Sequence, residues 1–216
     1  MNVGSPGDDK REGRAGIRSR VDYLRYLEAD RRAMGRATTR PRLVGDETWR
    51  FLRLLRAVEY VESCHRAWYH RPFRSLLSLW FLRASIRLGV TIPPYVCGPG
   101  LVLPQKGTLV VNSCARIGAH CRIHACVNIG TSAGKTTDAP TIGDNVTIGT
   151  GAVIYGDITI ADDITILPKA VVNRSFLEPG ITIAGRPARR VYHEDKPTLH
   201  QAGEPSVRSG SGDHAR

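Results

Sequence analysis

No run of apolar residues in this chain approaches the roughly 18–20 that a membrane-spanning helix requires. The best candidate, Leu76-Leu77-Ser78-Leu79-Trp80-Phe81-Leu82, is far too short. The N-terminal stretch MNVGSPGDDKREGR lacks the apolar centre of a secretory signal, so a cytoplasmic location is expected. Cysteine pairing signals are missing too. The five cysteines (Cys64, Cys97, Cys114, Cys121 and Cys126) are odd in number and contain no C-x-x-C, which points to neither a disulfide framework nor a zinc ribbon. Most fall where a small buried hydrophobe would fit. No zinc finger or other nucleic-acid motif is present, and no nucleic-acid partner is expected.

What is there begins with size and charge. The 216 residues, 41% of them apolar, suit one medium domain with a small appendage. The formal net charge is +11 and uneven: residues 1–90 hold 19 Lys and Arg against 10 Asp and Glu. Such a field attracts nucleic acid, anionic lipid or a phosphorylated ligand, or is simply a solvated basic helix face.

Composition divides the chain. Residues 1–19 and 193–216, rich in Gly, Ser, Pro and charge, read as disordered tails. Residues 20–90 read as helical. Leu52, Leu55, Val58, Val61 and Cys64 recur at threes with Arg and Glu between them. A second pattern, Leu76, Leu77, Trp80, Ile86 and Leu88, follows Pro72 as an opening residue and stops at Gly89, before Pro93-Pro94. This second helix is basic and amphipathic. Docking on the next domain is the preferred reading, with peripheral membrane contact as the alternative.

Residues 91–192 carry a repeat. Val111, Ile117, Ile123 and Ile129 are spaced by six, as are Ile142, Ile148, Ile154, Ile160, Ile166 and Val172. A small-to-medium apolar residue sits two positions before most of them: Ala115, Cys121, Val127, Val146, Ala152, Ile158, Ile164 and Ala170. Fixed-period similarity marks a solenoid. A six-residue step is too short for helical units and suits one flat side of a triangular coil, stacked at roughly 4.8 Å. Ile129 and Ile142 are one residue out of phase, so the polar stretch 131–140 should leave the coil as a loop. The expected fold is mainly β: a parallel β-helix behind an N-terminal α-helical segment.

These residues carry a resemblance. The segments Ala115–Gly118 and Cys121–Gly130, the loop with Gly130-Thr131-Ser132-Ala133-Gly134-Lys135, the run Pro140–Gly149, and the ending Ala184-Gly185-Arg186-Pro187-Ala188 resemble hexapeptide-repeat acyltransferases. Within that family the likeness is to the serine acetyltransferase-like branch, which serves cysteine biosynthesis or acetylates surface-polysaccharide sugars. It covers residues 88–192. The resemblance implies a left-handed coil, a homotrimer with active sites between neighbouring coils, and acetyl-CoA as co-substrate, with no permanently bound cofactor. It also implies direct transfer to a small hydroxyl acceptor: a histidine removes the hydroxyl proton, and backbone N–H groups hold the oxyanion. Thr150, Pro168 and the stretch from Ala184 to Arg189 match stretches that line CoA. Arg186, Arg189 and Arg190 either meet CoA phosphates or are surface charge.

The chain departs from this pattern where acid–base chemistry is expected. Gln105 stands in the place of the family's base histidine and Pro104 in that of the aspartate before it. Val90 replaces the orienting carboxylate, and Ala139 a second histidine. His124, 19 residues after Gln105 and so about one coil away, is the remaining candidate base. Gln105, Lys106 and Asn128 are candidate substrate contacts, and His120 reads as solvated. A metal enzyme on the same type of helix is a competing reading. However, His120 and His124 would point differently and no third histidine lies at coil spacing, so no metal site is expected. The other alternative is a catalytically degenerate β-helix that keeps an assembly or CoA-binding role.

Overall fold

The computed structural model describes residues 16–38, 45–64, 71–132 and 137–191. Most of both expected tails lie outside these residues. Ile17 and Ser19, assigned by composition to the N-terminal tail, belong to the folded part: Ile17 is buried and Ser19 caps the first helix. The Ser19 hydroxyl accepts the Asp22 amide at 3.1 Å and satisfies a donor that the first turn leaves unpaired.

Three helices make up the N-terminal segment: α1 (Arg20–Ala33), α2 (Glu47–Cys64) and α3 (Arg71–Leu88). Helix α2 buries Leu52, Leu55, Val58 and Val61, as their spacing predicts, together with Trp49 and Phe51. Cys64, expected on the same stripe, is exposed at the helix end. Arg56 and Glu59, which lie between the stripe residues, are buried. Helix α3 carries Pro72 in its first turn and ends at Gly89, whose φ of 70° is the left-handed conformation that terminates helices. Of its residues only Leu88 is fully buried, with Phe81 and Ala84 packed partly against the core. Phe81 stacks on Phe51 with ring centroids 5.3 Å apart. The docking expected of this helix therefore uses one side of it alone.

Thirteen short strands follow among the described residues: β1 (Val90–Thr91), β2 (Leu109–Val111), β3 (Arg116–Ile117), β4 (Arg122–Ile123), β5 (Val127–Gly130), β6 (Thr141–Ile142), β7 (Thr147–Ile148), β8 (Val153–Tyr155), β9 (Thr159–Ile160), β10 (Thr165–Ile166), β11 (Val171–Val172), β12 (Thr182–Gly185) and β13 (Ala188–Val191). They form three faces. The first is β1-β2-β5-β8-β11, the second β3-β6-β9 and the third β4-β7-β10-β12-β13. All pairs are parallel except the closing hairpin β12–β13. From β2 to β12 consecutive strands go to different faces, so the chain coils. All the six-spaced aliphatics from Val111 to Val172 point into the core with their smaller partners.

Glycine after the large aliphatic has a steric cause. A Cβ on Gly118 would lie 2.2 Å from Asp144 Oδ1 and 2.5 Å from the Gly143 carbonyl oxygen, on the next coil. The same aspartate oxygen accepts the Ala119 amide at 2.6 Å, and Asp162 repeats the contact on Asp144 N at 2.7 Å.

Register locates the loop. Leu109 pairs with Val127 and Val153 with Val171, a step of 18, whereas Asn128 pairs with Val153 and Arg116 with Thr141, a step of 25. Seven additional residues thus enter between β5 and β6, at the edge joining the first face to the second. Residues 133–136 of the expected loop lie outside the described residues.

Candidate active site along one edge of the coil

The edge where the third face turns into the first gathers most of the nominated residues. On the first coil Val102 bridges to Arg122, a step of 20, while Leu109 pairs with Val127, a step of 18. This coil therefore holds two extra residues at the edge, and Pro104, Gln105 and Lys106 stand exposed on it. Beneath them His124, Ala125 and Cys126 make the same turn, with Cys126 N donating to Thr108 O at 2.5 Å. Gly107 leaves the space this close approach needs, since a Cβ there would meet the Ala125 methyl at 2.9 Å.

The stacking continues down the edge. His124 N donates to Ile148 O and Gly151 N to Ala125 O, both at 3.0 Å, which brings Thr150 under the histidine turn. Lys169 N donates to Thr150 O at 2.9 Å and places Pro168 on the next coil. The tip of the β12–β13 hairpin closes the row, with Arg186 Nε donating to Lys169 O at 2.9 Å. Ala184 and Arg189 face each other across that hairpin, and Arg189 is exposed. Arg190 ion-pairs with Glu178. Asn128 lies just beyond the edge, exposed on the first face between Val110 and Val153.

The electrostatics of the edge are cationic. Partial burial, reinforced by the positive charge of Arg122, holds the His124 imidazole below its usual 6.5. The ring is therefore neutral at pH 7, the form that accepts a proton. Among the described residues no carboxylate hydrogen-bonds to it, and no side-chain hydrogen bond joins it to Gln105. Lys106, nominated as a substrate contact, instead lies with Nζ 3.0 Å from Glu47 Oε2. That pair ties the bulge to the start of α2, and the Lys106 ammonium holds the Glu47 carboxyl low. Val90 and Ala139, which the resemblance sets where acid–base residues are expected, are both packed into the core.

His120 belongs to a different edge, between the second and third faces. Its ring rests on the first coil, where a Cβ on Gly100 would come within 2.3 Å of Nδ1. His120 and His124 are thus separated, and among the described residues no three His, Cys, Asp or Glu side chains form a metal-ligand group.

Sequence reasoning missed one feature. A cleft of about 420 Å³ opens beside the bulge, lined by Met34, Arg36, Thr48, Pro104, Lys106 and Arg122 among others. Arg36 ion-pairs with Asp46. The walls come from α1, from the start of α2 and from two coils, so no local pattern signals the cleft.

Comparison with known proteins agrees with this architecture. Residues 139–174 match the family model of the bacterial transferase hexapeptide (six repeats). No sequence of a characterised protein matches the chain. Among solved structures, the serine acetyltransferase of Neisseria gonorrhoeae in complex with serine is 27% identical with a TM-score of 0.61, over 81% of this chain and 71% of that one. The soybean serine acetyltransferase apoenzyme is 25% identical with a TM-score of 0.63, over 78% and 69%. A serine acetyltransferase in complex with CoA is 22% identical with a TM-score of 0.63, over 80% and 71%. The chain shares the left-handed parallel β-helix fold of these structures, and its residues 139–174 carry the hexapeptide repeat.

Proposed function

We propose that this protein transfers an acetyl group from acetyl-CoA to a hydroxyl of a small acceptor, serine or a sugar, and that the edge from Gln105 to Arg186 is its active surface. One observation carries the reading: residues nominated separately for base, acceptor and CoA roles stack on one edge, coil upon coil. The solved CoA and serine complexes of similar proteins support the same ligands here.

In this reading the acceptor hydroxyl sits between Gln105 and His124. The neutral imidazole takes the hydroxyl proton as the oxygen attacks the thioester carbonyl carbon. The tetrahedral oxyanion is held by backbone N–H groups. Its collapse breaks the C–S bond, and the CoA thiolate takes the proton back from the imidazolium. The Gln105 amide positions the acceptor but cannot act as a base. Thr150, Pro168 and the hairpin with Ala184 line the CoA path, and Arg189 meets a CoA phosphate. Asn128 flanks the acceptor, while the Lys106 charge, shared with Glu47, contributes to the field at the cleft. The loop between β5 and β6 emerges at a different edge of the triangle. A homotrimer with the active site between neighbouring copies completes the reading.

The substitution of glutamine for the family histidine favours a second reading, a CoA-binding scaffold without turnover. A thiol-release assay with acetyl-CoA and a panel of serine, sugars and oligosaccharides separates the two. Acceptor-dependent thiol release is the expected result. CoA binding by calorimetry with no release on any acceptor identifies the scaffold, and absence of both defeats the proposal.

A further inference from the structure

Helix α3 leaves a broad apolar surface uncovered. Phe73, Leu76, Leu79, Trp80, Leu82 and Ile86 are all exposed, Trp80 at 63% and Ile86 at 72%. Their spacing is ordered. Leu79, Leu82 and Ile86 form one stripe at i, i+3 and i+7, and Leu76, Trp80, Arg83 and Arg87 form the adjoining one. The opposite side of the helix, with Phe81, Ala84 and Leu88, packs on α2 and the first coil. Scattered exposed hydrophobes are ordinary, but six within fourteen residues of one helix make a continuous patch, which marks a site of association.

Charge indicates the occupant. The helix carries Arg71, Arg74, Arg83 and Arg87 and no Asp or Glu. A second copy apposed helix to helix would bring two sets of arginines together with no carboxylate on either helix to offset them. An anionic lipid surface satisfies both features. The Leu and Trp side chains enter the acyl boundary while the arginines reach back to the headgroups on their apolar stems. No helix among the described residues is long and apolar enough to cross a bilayer, so the helix would lie in the interface plane. We infer that α3 is an interfacial anchor that holds the protein on anionic membranes, independently of the chemistry proposed for the coil edge.

The test uses the full chain with vesicles of pure phosphatidylcholine and vesicles in which about a third is phosphatidylglycerol. Flotation and the blue shift of tryptophan fluorescence, compared with that of Trp80→Phe, report binding. Wild type should bind the anionic vesicles and shift its emission, with much weaker binding to the neutral ones. Arg83→Gln with Arg87→Gln should weaken anionic binding by roughly tenfold or more. Leu79→Glu with Ile86→Glu should abolish binding to both, while the thermal transition and the oligomeric state by light scattering stay at wild type. Equal binding to both vesicles, or none, overturns the inference. So does dissociation of an oligomer by the Leu79→Glu, Ile86→Glu variant, which would assign the patch to a second copy.

Discussion

Arg56 and Asp30, both fully buried, meet through Arg56 Nε and Asp30 Oδ2 at 2.8 Å and together join the helical segment to the first coil. The same guanidinium donates to Cys97 O at 2.9 Å and Gly98 O at 2.6 Å, while Asp30 Oδ1 accepts the amides of Gly100 at 2.7 Å and Leu101 at 2.9 Å. Glu59 completes the set, with Oε2 3.1 Å from Arg56 and Oε1 accepting the Tyr95 amide at 2.7 Å. Each coil residue in this set belongs to the turn that starts the solenoid. Arg56→Ala should therefore destabilise the protein by about 3–5 kcal/mol, because two carboxylates lose their counter-charge in the interior. Urea denaturation measures this. A change under about 1 kcal/mol would mean that water replaces the guanidinium.

His124→Ala should reduce turnover on the true acceptor by at least about a hundredfold, with little change in affinity for acetyl-CoA, since general-base help contributes roughly 10²–10⁴-fold. Steady-state kinetics with calorimetry of CoA binding provides both numbers. Wild-type turnover in the variant removes His124 from the mechanism.

The pH dependence follows from the direction of the His124 shift. Burial and Arg122 lower its pKa from 6.5, so kcat should be flat near neutrality and fall only on acidification below that value. Stability carries the same sign. The unfolded chain takes up this proton first, so stability drops as pH falls through 6.5 toward the folded pKa, and His124→Gln should flatten that slope. A limb centred above 6.5 would contradict the geometry.

Gln105 is exposed on the bulge and its amide does not titrate, so Gln105→Ala should raise the acceptor KM more than it lowers kcat. Gln105→His installs an imidazole one coil from His124 and should raise activity. A loss of CoA binding in either variant would show that residue 105 belongs to the CoA path.

The cysteines give a chemical footprint. Cys97 and Cys121 are buried, and burial pushes both thiols up, that of Cys121 to about 12. Cys114 and Cys126 are exposed. Maleimide should label the exposed thiols quickly and Cys97 and Cys121 only on unfolding. Acetyl-CoA should protect Cys126, two residues from His124 on the proposed CoA edge, and spare Cys114. Equal protection of both, or of neither, would place the ligand elsewhere.

The coil is legible in the amino-acid pattern alone. A period of six leaves little choice, because each large aliphatic must point inward and the glycines at 118, 143 and 149 must clear the next rung. The ten aliphatics from Val111 to Val172 are buried accordingly. The same pattern marked the break at residues 131–140 through its change of phase. The 19-residue step from Gln105 to His124 already set these two about one coil apart, but the placement of the other polar residues depends on extra residues in individual coils. Two additional positions in the first coil push Gln105 outward above His124, and a seven-residue insertion shifts everything after β5. Burial of Arg56, Asp30 and Glu59 was likewise illegible. As single letters they read as a solvated face, and only the docking of α1 and α2 on the first coil supplies the carbonyls and amides that make an interior charge cluster tolerable. The exposed side of α3 is the converse case. Its apolar pattern reads as core, and tertiary packing covers one side of it and leaves the other open.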